Sequence, residues 1–273
     1  MTLGLIQFQP MLAQVAENIA RLKVLLSKTQ EASLVVLPEL ANSGYNFKTR
    51  EQAWQVSEEI GKSKFLDFLE ATAQKNNQFI VSGLNERIGS QLFNTSVLVG
   101  PKGYIGKYQK IHLYQNEKDI FELGATGLPV FDIGFCKMGM LICYDYWFPE
   151  VWRILSLKGA DLICHPSNLL TPGMALSVMP IHAMLNKVYI ATANRIGEEG
   201  DISFCGLSVI ASPKGEVLFE ASRWEEEVHV TAIDLSQTKD KFLNPRNHIY
   251  QDRQINQYAE LLDHSLHHQH KIN

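Results

Sequence analysis

Three short segments carry residue types that together could perform acyl transfer. Leu37-Pro38-Glu39-Leu40 sets a carboxylate directly after an apolar run and before a loop containing Gly44 and Tyr45. Ligand sites in α/β proteins gather at the carboxyl ends of strands, so Glu39 reads either as a catalytic base or as a local cap. Gly106-Lys107-Tyr108-Gln109-Lys110-Ile111-His112-Leu113 sets Lys110 between a glycine-rich turn and an apolar residue. Taken alone it reads as a surface lysine, because lysine is seldom buried. The segment from Gly139 to Glu150 sets Cys143 at the end of a buried strand, and Pro149 and Glu150 suit the first turn of a following helix. Such a strand–turn–helix elbow exposes a nucleophile. A nearby helix N-terminus and a lysine would both lower the thiol pKa. Some activation is required, because a free thiol is ionised to only a few per cent at pH 7.

A nucleophile (Cys143), a base (Glu39) and a cation (Lys110) form a set suited to attack on an acyl carbon through a thioester. Two other readings compete with it. His112, His165 or His182 paired with Cys143 would make a papain-like dyad, but the papain-like cysteine context is missing and Glu39 and Lys110 already fill the roles. A non-catalytic protein that binds a small molecule or a partner on the same fold is the second, and occupancy of all three positions argues against it. The Gly100 to Lys107 stretch is no phosphate cradle. Its first glycine lies one place too far away, and Tyr108 stands where Ser or Thr is required.

The remaining candidates are weaker. Tyr45, Trp147, Asn168 and Met174 fall on loops expected to rim a pocket, the two aromatics reading equally well as packing or interface residues. Arg153 and Asp161 read as holding the helix after the elbow. Arg195 follows Asn194 at a strand end, where it would serve a substrate carboxylate. Cys136, Cys164 and Cys205 form no C-x-x-C pair and read as inert core thiols in a reducing compartment. His264, His267, His268 and His270 crowd the last ten residues. A metal site is conceivable there, but the reading taken is a solvated or partner-facing tail.

Positioning these residues requires buried strands. Leu3 to Phe8, Ser33 to Leu37, Phe79 to Asn85 and Thr95 to Val99 read as strands bounded by turn residues. Ala16 to Lys28 and Lys64 to Lys75 show helical spacing. The second half repeats the rhythm, with strands at Met138 to Cys143, Ala160 to His165, Val188 to Ala193, Leu207 to Ala211 and Glu227 to Ile233, and helices at Pro149 to Leu157 and Met179 to Asn186. Runs such as Leu34-Val35-Val36-Leu37 are apolar on both faces and belong in a sheet covered on both sides. Two similar sheets packed together, with helices outside, follow from this pattern.

The chain has 273 residues, 45% of them hydrophobic and 20% charged, with a net charge of −4. Disorder, collagen and coiled coil are excluded as main descriptions, and no basic field marks nucleic-acid binding. The N-terminus lacks a basic n-region, and no apolar run approaches the ~18 residues of a membrane span. A cytoplasmic location is expected, with one domain over residues 1–262 and the His-rich tail at 263–273.

The Glu39, Lys110 and Cys143 segments, in this order and context, resemble the nitrilase superfamily of carbon–nitrogen hydrolases. The likeness runs from Ile6-Gln7 to the Glu226 to Leu235 strand. It is similar in appearance to small archaeal nitrilase and amidase members over Gly44-Tyr45-Asn46-Phe47, Gly100 to Leu113, Leu157-Lys158-Gly159-Ala160-Asp161 and Asn186-Lys187-Val188-Tyr189. The resemblance implies an α/β fold, a four-layer α-β-β-α sandwich of two mixed sheets, and a homodimer. It implies Cys143 as nucleophile, Glu39 as general base and then acid, and Lys110 with the Tyr144 backbone N–H as oxyanion donors. Glu117, followed by Phe121 and Gly124, matches a further family glutamate that positions substrate and water, with Leu123 standing where proline is usual. Tyr45, Tyr144, Trp147 and Asn168 are the expected substrate-binding residues, and no metal or organic cofactor is implied. The expected substrate is a small aliphatic amide, because Tyr144-Asp145 follows the cysteine where nitrilases usually carry Trp-Glu. An aliphatic nitrile or an N-carbamoyl amine stands behind it.

Overall fold

The apolar alternation Leu3-Gly4-Leu5-Ile6 becomes β1 (Thr2–Gln7), a strand buried on both faces. Helix α1 (Val15–Leu26) buries Leu22, Leu25 and Leu26 and returns the chain to β2 (Leu34–Val36), which pairs in parallel with β1. The short α2 (Arg50–Gln55) and α3 (Lys64–Asn76) are each capped by a hydroxyl, Thr49 and Ser63, accepting from a first-turn N–H. Strand β3 (Phe79–Ile88) then joins β2 in parallel, and β4 (Gln91–Gly100) and β5 (Gly103–Gln109) follow antiparallel. The one-turn α4 (Glu117–Ile120) leads into the second half of the chain.

There, β6 (Val130–Asp132) pairs antiparallel with β7 (Lys137–Met140). A 3-10 turn (Cys143–Trp147) and α5 (Pro149–Leu157) connect to β8 (Leu162–Pro166), and α6 (Met174–Asn186) connects to β9 (Tyr189–Ala193). Strands β7, β8 and β9 are parallel. A two-stranded ribbon, β10 (Glu198–Glu199) with β11 (Ile202–Ser203), precedes β12 (Val209–Ala211), β13 (Val217–Glu220) and β14 (Glu227–Ala232).

Two six-stranded mixed sheets result, in the orders β14-β1-β2-β3-β4-β5 and β13-β12-β9-β8-β7-β6. Alternate side chains sort the layers. Leu3, Leu5, Leu34, Val36 and Val81 of the first sheet share one cluster with Met138, Met140, Leu162 and Tyr189 of the second. Ile6, Val35, Val97 and Val99 face the other way, onto Leu22 and Leu25 of α1 and Phe65 and Leu69 of α3. Trp152 and Leu155 of α5, with Met179 and Ala183 of α6, cover the outer face of the second sheet. The expected four-layer α-β-β-α sandwich is therefore present.

This computed structural model describes residues 1–263 and 265, so His264, His267, His268 and His270 lie outside the described residues. The chain divides into Met1–Lys239 and Asp240–Asn273, earlier than the division expected after residue 262. From Asp240 onward no described residue is buried, and the described residues form only β15 (Phe242–Asn244), β16 (Asn247–His248) and 3-10 turns.

Three expectations about elements need correction. The Glu227 strand belongs to the first sheet, not the second, because β14 pairs antiparallel with β1 from Thr2↔Ala232 to Gln7↔Glu227. Helix α6 begins at Met174 rather than Met179 and carries Pro180 in its interior. Strand β7 stops at Met140, so Cys143 sits beyond the strand, in the turn.

Candidate active site

Glu39, Lys110 and Cys143 arrive from three different strands. Past β2 the chain stays beside β3, with Leu37 N–H on the Val81 carbonyl (2.9 Å) and Gly83 N–H on the Pro38 carbonyl (3.0 Å). It then turns away at Leu40, whose φ is +48°. Gly83 permits that turn, because a Cβ there would lie 2.1 Å from the Leu40 nitrogen. Lys110 follows β5 directly. Its N–H bonds the Asn94 carbonyl on β4 (2.9 Å), and its carbonyl accepts from Gly124 N–H (2.9 Å). Gly124 is required by the same kind of approach, a Cβ there falling 2.1 Å from the Gln109 carbonyl oxygen.

Lys110 is 1% exposed and Glu39 0%, so the surface-lysine reading is overturned. The Lys110 ammonium bridges two carboxylates, donating to Glu39 Oε1 and Glu117 Oε1 at 2.7 Å each. An ammonium has three donors, so one N–H remains for an oxyanion. Asn94 Nδ2 donates to the same Glu39 oxygen (2.7 Å), and the Tyr45 hydroxyl donates to the same Glu117 oxygen (2.8 Å). The second oxygens, Glu39 Oε2 and Glu117 Oε2, are buried without a partner.

The electrostatics differ from expectation at the thiol. Burial, then Glu39, push the Cys143 thiol well above its ordinary value, and Glu117 adds to this. Lys110 and the Asn168 backbone N–H pull it down without offsetting the rise. The lowering expected from a lysine and a helix N-terminus therefore loses to desolvation and to two neighbouring carboxylates. Burial alone would depress Lys110, but Glu117 and Glu39 together hold it above its usual range and keep it charged. Glu117 is pushed up to about 7 by burial, opposed by Lys110 and assisted by Glu39. The site thus rests with a protonated thiol and a permanent cation.

Cys143 itself has φ +43°, left-handed for a residue bearing a Cβ. The strain is held by Asp145, which is fully buried. Its Oδ2 accepts from Ile142 N–H (2.8 Å) and the Tyr108 hydroxyl (2.7 Å), and its Oδ1 from His112 Nδ1 (2.8 Å). Removing this acceptor orphans three donors at once, each at ~1–3 kcal/mol when buried. Asp145→Ala should lose on the order of 3 kcal/mol in urea unfolding, and most of its turnover as the elbow relaxes. Asp145→Asn keeps one acceptor oxygen and should fall between; wild-type stability and rate in both variants would contradict this role.

The family model described as Carbon-nitrogen hydrolase matches residues 2–241. The chain belongs to this family. It is 47% identical over 255 residues to a protein of Pyrococcus abyssi (strain GE5 / Orsay) named Nitrilase, covering 93% of this chain and 97% of that one. Among solved structures it resembles a carbon–nitrogen hydrolase from Helicobacter pylori G27 (TM-score 0.85, 26% identity, covering 97% and 99%). It also resembles an amidase from Nesterenkonia sp. (TM-score 0.80, 26% identity, covering 96% of each). The chain is thus an enzyme of the nitrilase superfamily, acting on carbon–nitrogen bonds.

In this hydrolase a cavity of about 310 Å³ opens onto Cys143. Tyr144, Trp147, Asn168 and Met174 line it, as expected of loops around the site. Tyr45 does not. It stands behind Glu117, edge-on to Phe204 with ring centroids 5.9 Å apart. Arg195 is fully buried, paired with Glu199, and lies 4.0 Å over the Phe204 ring, so it is not placed to read a substrate carboxylate. Its partner Glu199 accepts from the N–H groups of Tyr45 (2.9 Å) and Asn46 (2.7 Å), tying the pair to the loop that carries Tyr45. Asp161 binds Lys137 N–H, Thr238 and Lys239 rather than the helix after the elbow, whereas Arg153 does tie α5 to the Leu185 carbonyl on α6.

The histidine alternative fails on geometry. His165 Nε2 lies 2.9 Å from the Cys143 carbonyl oxygen, an acceptor, so that nitrogen is the donor and not a base for the thiol. Burial depresses His165 to about 4, which keeps it neutral. His112 bonds Asp145 and stacks on Phe148 at 3.6 Å, and His182 stacks on Trp152 at 4.9 Å. Sequence reasoning missed Asn94, and it gave no role to Asp145. The signal for the first was a polar Asn94-Thr95-Ser96 run inside an otherwise apolar strand; for the second, a charge two residues after the nucleophile. Among the described residues no group of three or more His, Cys, Asp or Glu is arranged to hold a metal, and no helix is long and apolar enough to cross a membrane.

Proposed function

We propose that this hydrolase converts a small aliphatic amide to its carboxylic acid and ammonia through a thioester on Cys143. The observation that carries the reading is the buried Lys110 ammonium held between Glu39 and Glu117, beside a thiol that rests protonated. As the Cys143 sulfur attacks the amide carbon, Glu39 takes the thiol proton. The developing oxyanion meets the third Lys110 N–H and the backbone N–H of Tyr144, the second residue of the 3-10 turn, which lacks an acceptor within it. Glu39 returns the proton to the nitrogen as the C–N bond breaks, and ammonia leaves. Water then attacks the thioester, giving its proton to Glu39, which passes it back to the departing thiolate.

An amide fits the unpaired acceptors better than a nitrile does. Glu39 Oε2 and Glu117 Oε2 are buried without partners, and a primary amide brings two N–H donors to them. A nitrile nitrogen can only accept. The nitrile reading is kept second because of the 47% identity to the Pyrococcus protein named Nitrilase. Ammonia release from matched amide, nitrile and N-carbamoyl substrates of the same acyl body tests the choice. The amide should lead in kcat/KM by at least ~10-fold, the scale of one unmade hydrogen bond. A lead by the nitrile would overturn it.

A further inference from the structure

Two hydrogen bonds fix the backbone on either side of the strained nucleophile. Before it, Asp145 Oδ2 accepts from Ile142 N–H (2.8 Å). After it, His165 Nε2 lies 2.9 Å from the Cys143 carbonyl oxygen and donates to it. That carbonyl and the Tyr144 N–H belong to one peptide unit, and the peptide is trans. A trans peptide is planar, so its C=O and N–H point in opposite directions. A carbonyl held on His165 therefore sends the Tyr144 N–H the other way, away from the imidazole.

The imidazole is itself held in place. His165 of β8 pairs in register with Thr192 of β9, which sets the Thr192 hydroxyl 3.1 Å from Nδ1. A hydroxyl donating to Nδ1 leaves the proton on Nε2, the nitrogen that faces the carbonyl. Ser167 Oγ lies 3.3 Å from Nδ1 and 3.2 Å from Nε2. An oxygen that near both nitrogens stands off the ring plane, in line with neither. The ring is fully buried, and Trp152 and Tyr146 meet it in T-shaped contacts with centroids 5.7 and 6.2 Å away. Burial keeps it neutral, so it donates without placing a second cation beside Lys110. Asn168, on the same segment after β8, brings its backbone N–H to the Cys143 thiol. One stretch of chain thus governs both the sulfur and the peptide that follows it.

We infer that His165 is a positioning residue for the oxyanion hole: by holding the Cys143 carbonyl, it aims the Tyr144 N–H at the oxygen of the tetrahedral intermediate. This rests on the thioester reading above and adds to it a residue that does not touch substrate. The Tyr144 donor acts as charge develops on oxygen, so loss of its aim should fall on kcat and not on KM. The competing role for the same imidazole is to shore up the whole elbow. The two roles separate in what happens to the sulfur.

The test compares the wild type with His165→Gln, which keeps an N–H donor, and His165→Phe, which keeps the bulk of a ring and has none. The readouts are kcat and KM on the best substrate, inhibition by the aldehyde of the same acyl body, and the rate of Cys143 modification by methyl methanethiolsulfonate. In the aldehyde adduct the sulfur bonds to the carbonyl carbon, the π pair moves to oxygen and the thiol proton passes to Glu39, so the oxyanion site is used. The thiolsulfonate forms an S–S bond and expels methanesulfinate, the thiol proton again passing to Glu39, and puts no charge on a carbonyl oxygen. His165→Phe should lower kcat by about 10²- to 10³-fold and weaken aldehyde inhibition by a similar factor, with KM and the thiolsulfonate rate within about threefold of wild type. His165→Gln should recover at least ~10-fold of the lost kcat. An unchanged kcat in His165→Phe, or aldehyde and thiolsulfonate reactivity falling together, would overturn the inference. Where His165→Phe does not fold, a crystal structure of the wild-type aldehyde adduct decides. Its oxygen must lie within hydrogen-bonding distance of Tyr144 N while the Cys143 carbonyl stays on His165, and an oxygen turned away from that N–H overturns the inference. Full activity in Cys143→Ala would strike the thioester reading and this inference with it, whereas the other contrary outcomes strike this inference alone.

Discussion

Cys143→Ala should reduce turnover on the best amide by on the order of 10⁴-fold or more, the scale on which a covalent nucleophile is lost. The variant should fold like the wild type. Alanine keeps the Cβ, so the left-handed backbone at φ +43° is no more strained than before, and Asp145 still pins the turn through Ile142 N–H. Truncating one sulfur at a site 5% exposed opens a void smaller than a methionine-sized deletion, and such small deletions cost about 1 kcal/mol. A melting curve within a few degrees of wild type would accompany the loss of ammonia release. Full activity would remove the thioester from the mechanism.

Glu39→Gln should lower kcat by about 10²- to 10⁴-fold, the usual range for a general acid–base group. Glutamine preserves shape and can still accept from Lys110 and Asn94, but it cannot carry a proton between sulfur, nitrogen and water. Lys110 remains paired with Glu117 at 2.7 Å, so the buried cation is not stranded and folding should persist. An unchanged kcat in a folded variant would require another base. His165 cannot supply it, because the ring nitrogen that reaches Cys143 is committed to a backbone carbonyl.

Glu39, Lys110 and Cys143 were legible because each stands beside an apolar run or a turn that marks where a strand gives out. Their type and order then pointed to one chemistry. The layer structure was legible for a similar reason: Leu34-Val35-Val36 leaves no polar face, so both sides of the strand must be covered. What local pattern does not encode is pairing across long separations. Strand β14 follows the second sheet in sequence and looks like its continuation, yet its register partner is β1, at the other end of the chain. Asn94 and Glu39 meet only because β4 and the end of β2 flank β3. The direction of the thiol shift was misread for the same reason. A lysine nearby suggests a lowered pKa, but the outcome depends on near-complete burial and on two carboxylates that converge only in the folded chain. Arg195 reads as an available cation until Glu199 is seen to hold it.

The central claim is an acyl group carried on Cys143, and hydroxylamine partitioning tests it most directly. Hydroxylamine competes with water for a thioester and yields a hydroxamate. An amide and a methyl ester of the same acyl body should give the same hydroxamate-to-acid ratio, because both pass through one Cys143 thioester after their leaving groups have gone. Cys143→Ala should give neither product. A ratio that changes with the leaving group would mean that no common acyl-enzyme forms, and would contradict the account.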